Sequence, residues 1–484
     1  MGLVKLVGID LGTSGVRYEC YDLEGNIFST GRAEIKEQSC KEWLESLQKA
    51  IPKDKGFQLS EEVILSAQST SGTTVIIDDY GNEVIRPFMY FERAPEEIKE
   101  VELLKSAQEL KKRGSEIAPT SPLPKIIHVK EKYPDRFKRA RWIISPTTWL
   151  LHKLHYREDE RWESVTTDWT NALKFGVDLS GGYPAWYTPV FEDTGVSLSL
   201  LPEIVPCGEE IGQAESVFAE KLGLRGSRIF QGMTDGNASA LAVGCLREND
   251  FGFSCGTTTA VKYTCNTMKV HKAIYYHKHP FEGYLAGAAP ITAGMLDWFA
   301  RKIMDIEVGE AFKMAEKVEP ENEYQFFPQG DRSPFNDPAL GASFIKVWPD
   351  DISADEARGR FFRSIIIGLT FFEHYYIELF EGLFKNKISE ARITGGGTRS
   401  SWWNSLRASI FNIPVRVMEE RPGIGALIPT VVKLNLLGLG EVIEKLLRVT
   451  ATYLPDKKVT EKYEKKNREF LKKWETIQST SHVG

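Results

Sequence analysis

The chain has 484 residues, of which 42% are hydrophobic and 26% charged, and carries a formal net charge of −6. That length exceeds one ordinary core and points to two large domains of about 200 residues or more each, while the slight acidity and the lack of a long like-charge block argue against a nucleic-acid partner. The most apolar stretch, 365–380, is broken by Glu373, His374 and Glu378, so it reads as a buried helix and not as a membrane span.

The N-terminus begins with a buried strand over 4–9, without the layout of a secretory signal. A second strand is predicted over 16–21. Asp22-Leu23-Glu24-Gly25-Asn26 then supplies a turn, and a third strand starts at Ile27. A helix follows over 39–50. The strand–turn–strand signal returns at 75–77, 78–82 and 83–85, and a helix follows over 95–112. Residues 113–187, rich in Pro, Trp and Thr, read as an insertion that shapes a pocket. A charged helix over 460–474 reads as a solvated face. Strands repeatedly followed by helices argue for α/β layers. Six scattered cysteines without CxxC spacing are expected to be buried thiols of a reducing, cytoplasmic setting.

Gly12-Thr13-Ser14-Gly15-Val16-Arg17 is echoed by Gly256-Thr257-Thr258-Thr259-Ala260-Val261-Lys262, a shift of 244 positions. One hairpin in each half suggests a duplicated domain. The expected boundary gives domains 1–247 and 248–484.

Phosphoryl transfer needs a phosphate cradle, a metal to neutralise charge, and a base for the acceptor hydroxyl. Neither GxxxxGK[ST] nor a strand-following GxGxxG occurs; Gly423-Ile424-Gly425 lacks the third glycine. Another cradle is available. Gly12 and Gly15 permit a tight turn, and the Thr13 and Ser14 hydroxyls with the loop amides can meet phosphate oxygens. Asp10, at the strand end, can hold Mg²⁺ directly or through water. Gly256, Thr257 and Thr258 offer a second grip. Both loops also read as ordinary turns; their pairing favours the functional reading. Asp235, within Gly232-Met233-Thr234-Asp235-Gly236, can take a proton from a sugar hydroxyl. Gly395-Gly396-Gly397-Thr398-Arg399-Ser400, between a strand over 391–394 and a helix from about 401, lets a flat ligand lie on the backbone.

In this order the motifs resemble those of the FGGY carbohydrate kinases, within the sugar-kinase, Hsp70 and actin superfamily, over nearly the whole chain. Tyr90-Phe91-Glu92-Arg93-Ala94 resembles the sugar-contacting segment written W-N-D-x-R or Y-N-D-x-R, with Glu92 where Asp is usual. Cys255 stands for a usual Leu, and Thr258-Thr259 for Ser-Gly. The resemblance implies two α/β domains of the RNase H type with a cleft between them, ATP and Mg²⁺ as cofactors, and Asp235 as catalytic base. It further implies that Asp10 and Asp235 place the metal. Gly12, Thr13, Ser14, Gly256, Thr257, Thr258, Gly396, Gly397 and Thr398 would then contact ATP. Glu92, Arg93, Asn171, Lys174 and Asp235 would contact the sugar.

Some stretches are most similar to D-ribulose kinases labelled xylulose kinase-like. These are 118–123, Asn171-Ala172-Leu173-Lys174-Phe175-Gly176 with Tyr183-Pro184-Ala185-Trp186, and Pro334-Phe335-Asn336-Asp337-Pro338. They imply D-ribulose as acceptor, with D-xylulose or another sugar or polyol as the alternative. A non-catalytic sensor and an assembly ATPase on the same fold are the competing classes. A small-molecule sugar and ATP are the expected partners, with no nucleic acid and no membrane, and a homodimer is the expected assembly.

Overall fold

The computed structural model describes residues 4–58, 61–256, 258–290, 293–330, 340–347 and 351–480. The chain forms two compact units. The first comprises Met1–Ala242, Tyr276–Gly283 and Arg421–Leu447; the second comprises Val243–Tyr275, Tyr284–Glu420 and Arg448–Gly484. Two segments of the second half of the sequence therefore pack in the first unit, a return that a single boundary at 247/248 does not express.

In the first unit, strands β1 (Val4–Leu11), β2 (Gly15–Tyr21) and β3 (Ile27–Glu34) form an antiparallel meander. β4 (Glu62–Ser69) lies parallel to β1 on its other side, and β5 (Arg228–Phe230) and β6 (Met233–Thr234) both lie parallel to β4. β1 and β4 are buried along almost their whole length, which is why both read as near-continuous apolar runs.

The second unit repeats this plan. β7 (Phe251–Cys255), β8 (Thr259–Cys265) and β9 (Tyr284–Ala288) form the meander. β10 (Ala391–Thr394) is parallel to β7, β11 (Val415–Met418) is parallel to β10, and β12 (Val449–Tyr453) closes the edge antiparallel. The order β3-β2-β1-β4-β5 recurs as β9-β8-β7-β10-β11 with the same strand senses. The echoed motifs occupy equivalent hairpins, β1–β2 and β7–β8, as a duplicated domain requires.

Three expectations change. The stretch 75–85 does form its turn, with Asp78 Oδ1 accepting from the Asn82 amide at 3.0 Å. Its second arm is held only by an isolated bridge between Ile77 and Glu83, and Val75–Ile77 pairs instead with Trp142–Ile144. All three residues of that partner strand are buried, so the apolar run finds its cover there. Residues 95–112 are two helices, Pro95–Leu103 and Lys105–Lys112, broken where Leu104 takes extended backbone. The C-terminal helix, Lys457–Thr480, is no simple solvated face: Tyr463, Asn467, Phe470 and Trp474 form a buried stripe at helical spacing. The stretch 365–380 lies in the helix Ala354–Phe384 and is largely buried. The six cysteines are buried. Among the described residues, no helix is long and apolar enough to cross a membrane.

Candidate active site

In each unit several nominated residues stand at the carboxyl ends of parallel strands, Asp10 and Asp235 in the first and Gly256 and Gly396 in the second, where open α/β sheets place their ligands. Asp10 is the penultimate residue of β1. Its cross-strand partner is Arg17, whose Nη1 lies 2.6 Å from Oδ2, while Gln68 Nε2 of β4 donates to Oδ1 at 3.1 Å. Burial pushes the Asp10 carboxyl above the ordinary range, against the pull of Arg17 and Gln68. The β1–β2 turn closes with the Gly12 amide on Gly15 O at 3.0 Å. Gln38 Nε2 donates to Thr13 O at 2.7 Å and the Ile35 amide to Ser14 O at 3.1 Å. With its carbonyls anchored this way, the turn leaves Ser14 exposed and Thr13 half-buried.

β4 organises the rest. Its Gln68 and Ser69 pair on one side with Asp10 and Leu11 and on the other with Met233 and Thr234. Asp10 and Asp235 thus flank one strand, about 10 Å apart at two strand spacings. Asp235 opens the helix Asp235–Ala242, is half-buried, and accepts the Gly236 amide on Oδ1 at 2.7 Å. Gly232 before it has a reason: a Cβ there would lie 1.7 Å from Ala67 O. The helix is seated by Gly425, where a Cβ would fall 2.1 Å from Ala238 O, and Gly423 likewise abuts Gly8 of β1. The Gly423-Ile424-Gly425 pair is thereby accounted for by packing.

A buried polar network underlies Asp235. Asp168, wholly enclosed, accepts from the Thr170 amide at 2.9 Å, Thr170 Oγ1 at 2.6 Å, the Asn171 amide at 3.0 Å and Asn171 Nδ2 at 2.5 Å. Thr170 Oγ1 in turn accepts from the Thr234 amide at 3.0 Å. Burial raises the Asp168 carboxyl while these donors lower it. Asn171, nominated from sequence for sugar contact, is instead turned inward: it is buried, with its amide nitrogen committed to Asp168. The acceptor Thr234 Oγ1 and the ring nitrogen His277 Nδ1 lie 2.7 and 2.9 Å from Asn237 Nδ2. Lys278 lies 6.0 Å from the Trp169 ring. His277 and Lys278 come from the returning segment 276–283 and carry no local motif by which they could be found.

Two lysines reach the loop after β4. Lys174 Nζ donates to Ser71 O at 3.4 Å. Lys125, unforeseen, is buried and donates to Met89 O at 2.8 Å and Gly72 O at 3.3 Å; burial lowers its ammonium to about 8. The one signal was a lysine within the apolar run Pro122-Leu123-Pro124-Lys125-Ile126-Ile127. Glu92 is engaged by Arg86 at 2.6 and 3.0 Å and by the Met89 amide at 2.6 Å. Burial would raise its carboxyl, but Arg86 and the amide hold it below the ordinary range. Glu92 therefore braces the turn bearing the exposed Tyr90 and Phe91. Arg93 is exposed. Counted through the five-place pattern, the arginine position falls on Ala94, which is buried with its amide on Pro119 O.

In the second unit, Gly256 and Thr258 follow β7, with the Gly256 amide 3.3 Å from Thr258 O. Thr257 lies outside the described residues, as does Pro334-Phe335-Asn336-Asp337-Pro338. Gly396–Thr398 is a single 3₁₀ turn after the neighbouring strand β10. Gly395 has φ +91°, and a Cβ there would lie 2.7 Å from Cys255 O; a Cβ on Gly397 would lie 2.2 Å from Cys255 Sγ. Both glycines are required by the close approach of β7. Gly396 alone is exposed, with open space where its Cβ would be. The Thr398 amide and Oγ1 both return to Gly395 O, at 3.0 and 2.8 Å.

The N-terminal domain of the FGGY family of carbohydrate kinases matches residues 5–242, and the C-terminal domain of the same family matches residues 252–432. The chain belongs to the FGGY family of carbohydrate kinases. As such it is a phosphotransferase of sugar-kinase fold. The xylulose kinase of Lactococcus lactis is 23% identical over 96% of this chain and 95% of its own length; that of Bacillus subtilis is 24% identical over 95% and 94%. Among solved structures, a ligand-bound xylulose kinase from Lactobacillus acidophilus superposes with a TM-score of 0.83 at 19% identity, over 99% of this chain and 100% of the other. A gluconate kinase from the same organism reaches 0.82 at 19%, over 99% and 98%.

Proposed function

We propose that this FGGY kinase transfers the γ-phosphoryl group of ATP to a hydroxyl of a ketopentose, with D-xylulose ahead of D-ribulose. The order reverses the one suggested by the short stretches at 118–123 and 171–186, because the similar full-length relatives bear the xylulose kinase name. The observation that carries the mechanism is the placing of Asp10, the Gly12–Ser14 turn and Asp235 around one strand end, β4.

In this reading the acceptor hydroxyl gives its proton to the Asp235 carboxylate as its oxygen bonds the γ-phosphorus. The bond from that phosphorus to the β,γ-bridging oxygen breaks, and ADP leaves with the electron pair. In the first unit the amides and hydroxyls of Thr13 and Ser14 hold phosphate oxygens; in the second unit the hydroxyl of Thr258 is the corresponding group. Gly396 gives the nucleoside a bare backbone to lie on. Asp10 has both oxygens engaged by Arg17 and Gln68. That donor set fits Mg²⁺ held through water at Asp10 and Asp235 and chiefly by the phosphates, whose charge the ion neutralises.

ADP release measured with ATP and Mg²⁺ against D-xylulose, D-ribulose, L-ribulose, glycerol and gluconate, with a no-sugar control, tests the reading. A dominant D-xylulose rate supports it. Gluconate belongs in the panel because Lys125 and Lys174 both reach the loop after β4 and would suit an anionic acceptor. Preference for gluconate overturns the ketopentose assignment, and release without sugar overturns the kinase mechanism.

A further inference from the structure

We propose that Arg407 is a positioning residue for nucleotide binding, holding the 395–398 turn and the end of β7 in one geometry. This rests on reading that turn and the Gly256–Thr258 loop as nucleotide contacts. Arg407 is completely enclosed, on the helix Ser401–Phe411. Its five N–H groups are all used. Nε and Nη2 grip the two oxygens of Glu373 at 2.8 Å each. Nη1 donates to Gly397 O at 2.9 Å and to Asn404 Oδ1 at 3.2 Å, and Nη2 also donates to Cys255 Sγ at 3.3 Å. Asn404 passes the constraint on, donating from Nδ2 to Thr398 O at 2.7 Å. The guanidinium carbon lies over Trp403, 3.6 Å from the ring centroid.

One planar group thus ties three places far apart in sequence: Glu373 on the helix Ala354–Phe384, Cys255 at the end of β7, and the carbonyl beneath the exposed Gly396. Burying a charge pair is a poor way to gain stability, since apolar residues of equal volume serve as well. What the pair supplies is direction. A guanidinium fixes several acceptors in one plane; an ammonium does not. Gly397, lacking a Cβ, lets Cys255 come close enough to share that group.

The test is calorimetric titration of the full chain with ADP, alongside thermal melting and separate KM values for ATP and sugar. Arg407→Met with Glu373→Leu removes both charges together, so it leaves no buried ion unpaired. Arg407→Lys keeps a cation for Glu373 but loses the fork. Losing the bonds to Gly397 and Cys255 is expected to weaken ADP about tenfold in either variant, with a cooperative melt, lowered by several degrees, showing that the chain is still folded. KM for ATP rises in parallel, while KM for sugar stays within about twofold. ADP affinity equal to the parent's in a folded variant overturns the positioning role and leaves the pair structural. If the double variant does not fold, Arg407→Lys decides alone. A parent chain that does not bind ADP overturns the nucleotide reading and this inference with it.

Discussion

Replacing Asp168 by Asn tests whether the enclosed carboxylate sets the floor under Asp235. Oδ1 of the new amide can still accept from the Thr170 amide, Thr170 Oγ1 and the Asn171 amide. Its nitrogen, however, would face Asn171 Nδ2, which now lies 2.5 Å from Oδ2; the Asn171 amide must turn over to present Oδ1, which is buried without a partner, so a neutral bond replaces the charged one. The charge assistance of the bonds to this position is lost, about 1–3 kcal/mol. For a unit of this size that lowers its melting temperature by about 2–8 °C. The effect reaches the site because Thr170 Oγ1, held by Asp168, accepts the amide of Thr234, the residue before Asp235. Turnover should fall more than KM for ATP rises. Scanning calorimetry and sugar-dependent ADP release read the two effects. An Asn variant that melts within about 1 °C of the parent and turns over normally refutes the role given to the carboxylate, because a neutral amide then serves its donors as well.

Asp235→Asn should lower kcat by about 10²–10⁴ while ADP titration gives an unchanged affinity, the signature of a lost base. Asp10→Asn should raise the Mg²⁺ concentration needed for half-maximal rate, read from a metal titration at saturating ATP. Gly397→Ala should destabilise the second unit by about 1–3 kcal/mol, because its Cβ meets Cys255 Sγ; Gly396→Ala should melt normally yet raise KM for ATP. His152 is buried with its ring bonded to Thr148 O and the Thr166 amide, and burial lowers it to about 4. Between the unfolded value near 6.5 and 4, the unfolded chain binds the extra proton, so stability falls with pH by up to about 3 kcal/mol. In urea titrations from pH 7 to 4, His152→Phe should flatten that limb by one proton.

The sequence by itself determined the parts whose signals are local. Turn residues and alternating apolar positions marked the β1–β2 and β7–β8 hairpins, and their echo announced the duplicated sheet order. The glycine-flanked Asp235 and the triple glycine at 395–397 marked two strand ends. Tertiary structure decided which polar groups face a ligand and which face each other. Asn171 and Lys174 share one segment, yet Asn171 turns in to Asp168 while Lys174 reaches Ser71, 103 residues away. Glu92 is taken by Arg86; Gly395 and Gly425 are explained by backbones, and Gly397 by the Cys255 thiol, that approach them from elsewhere in the chain. Arg407 reaches Cys255 across 152 residues. Turns and strands are set by neighbours in the chain, whereas the partner of a buried charge is set by whatever the packed core brings beside it.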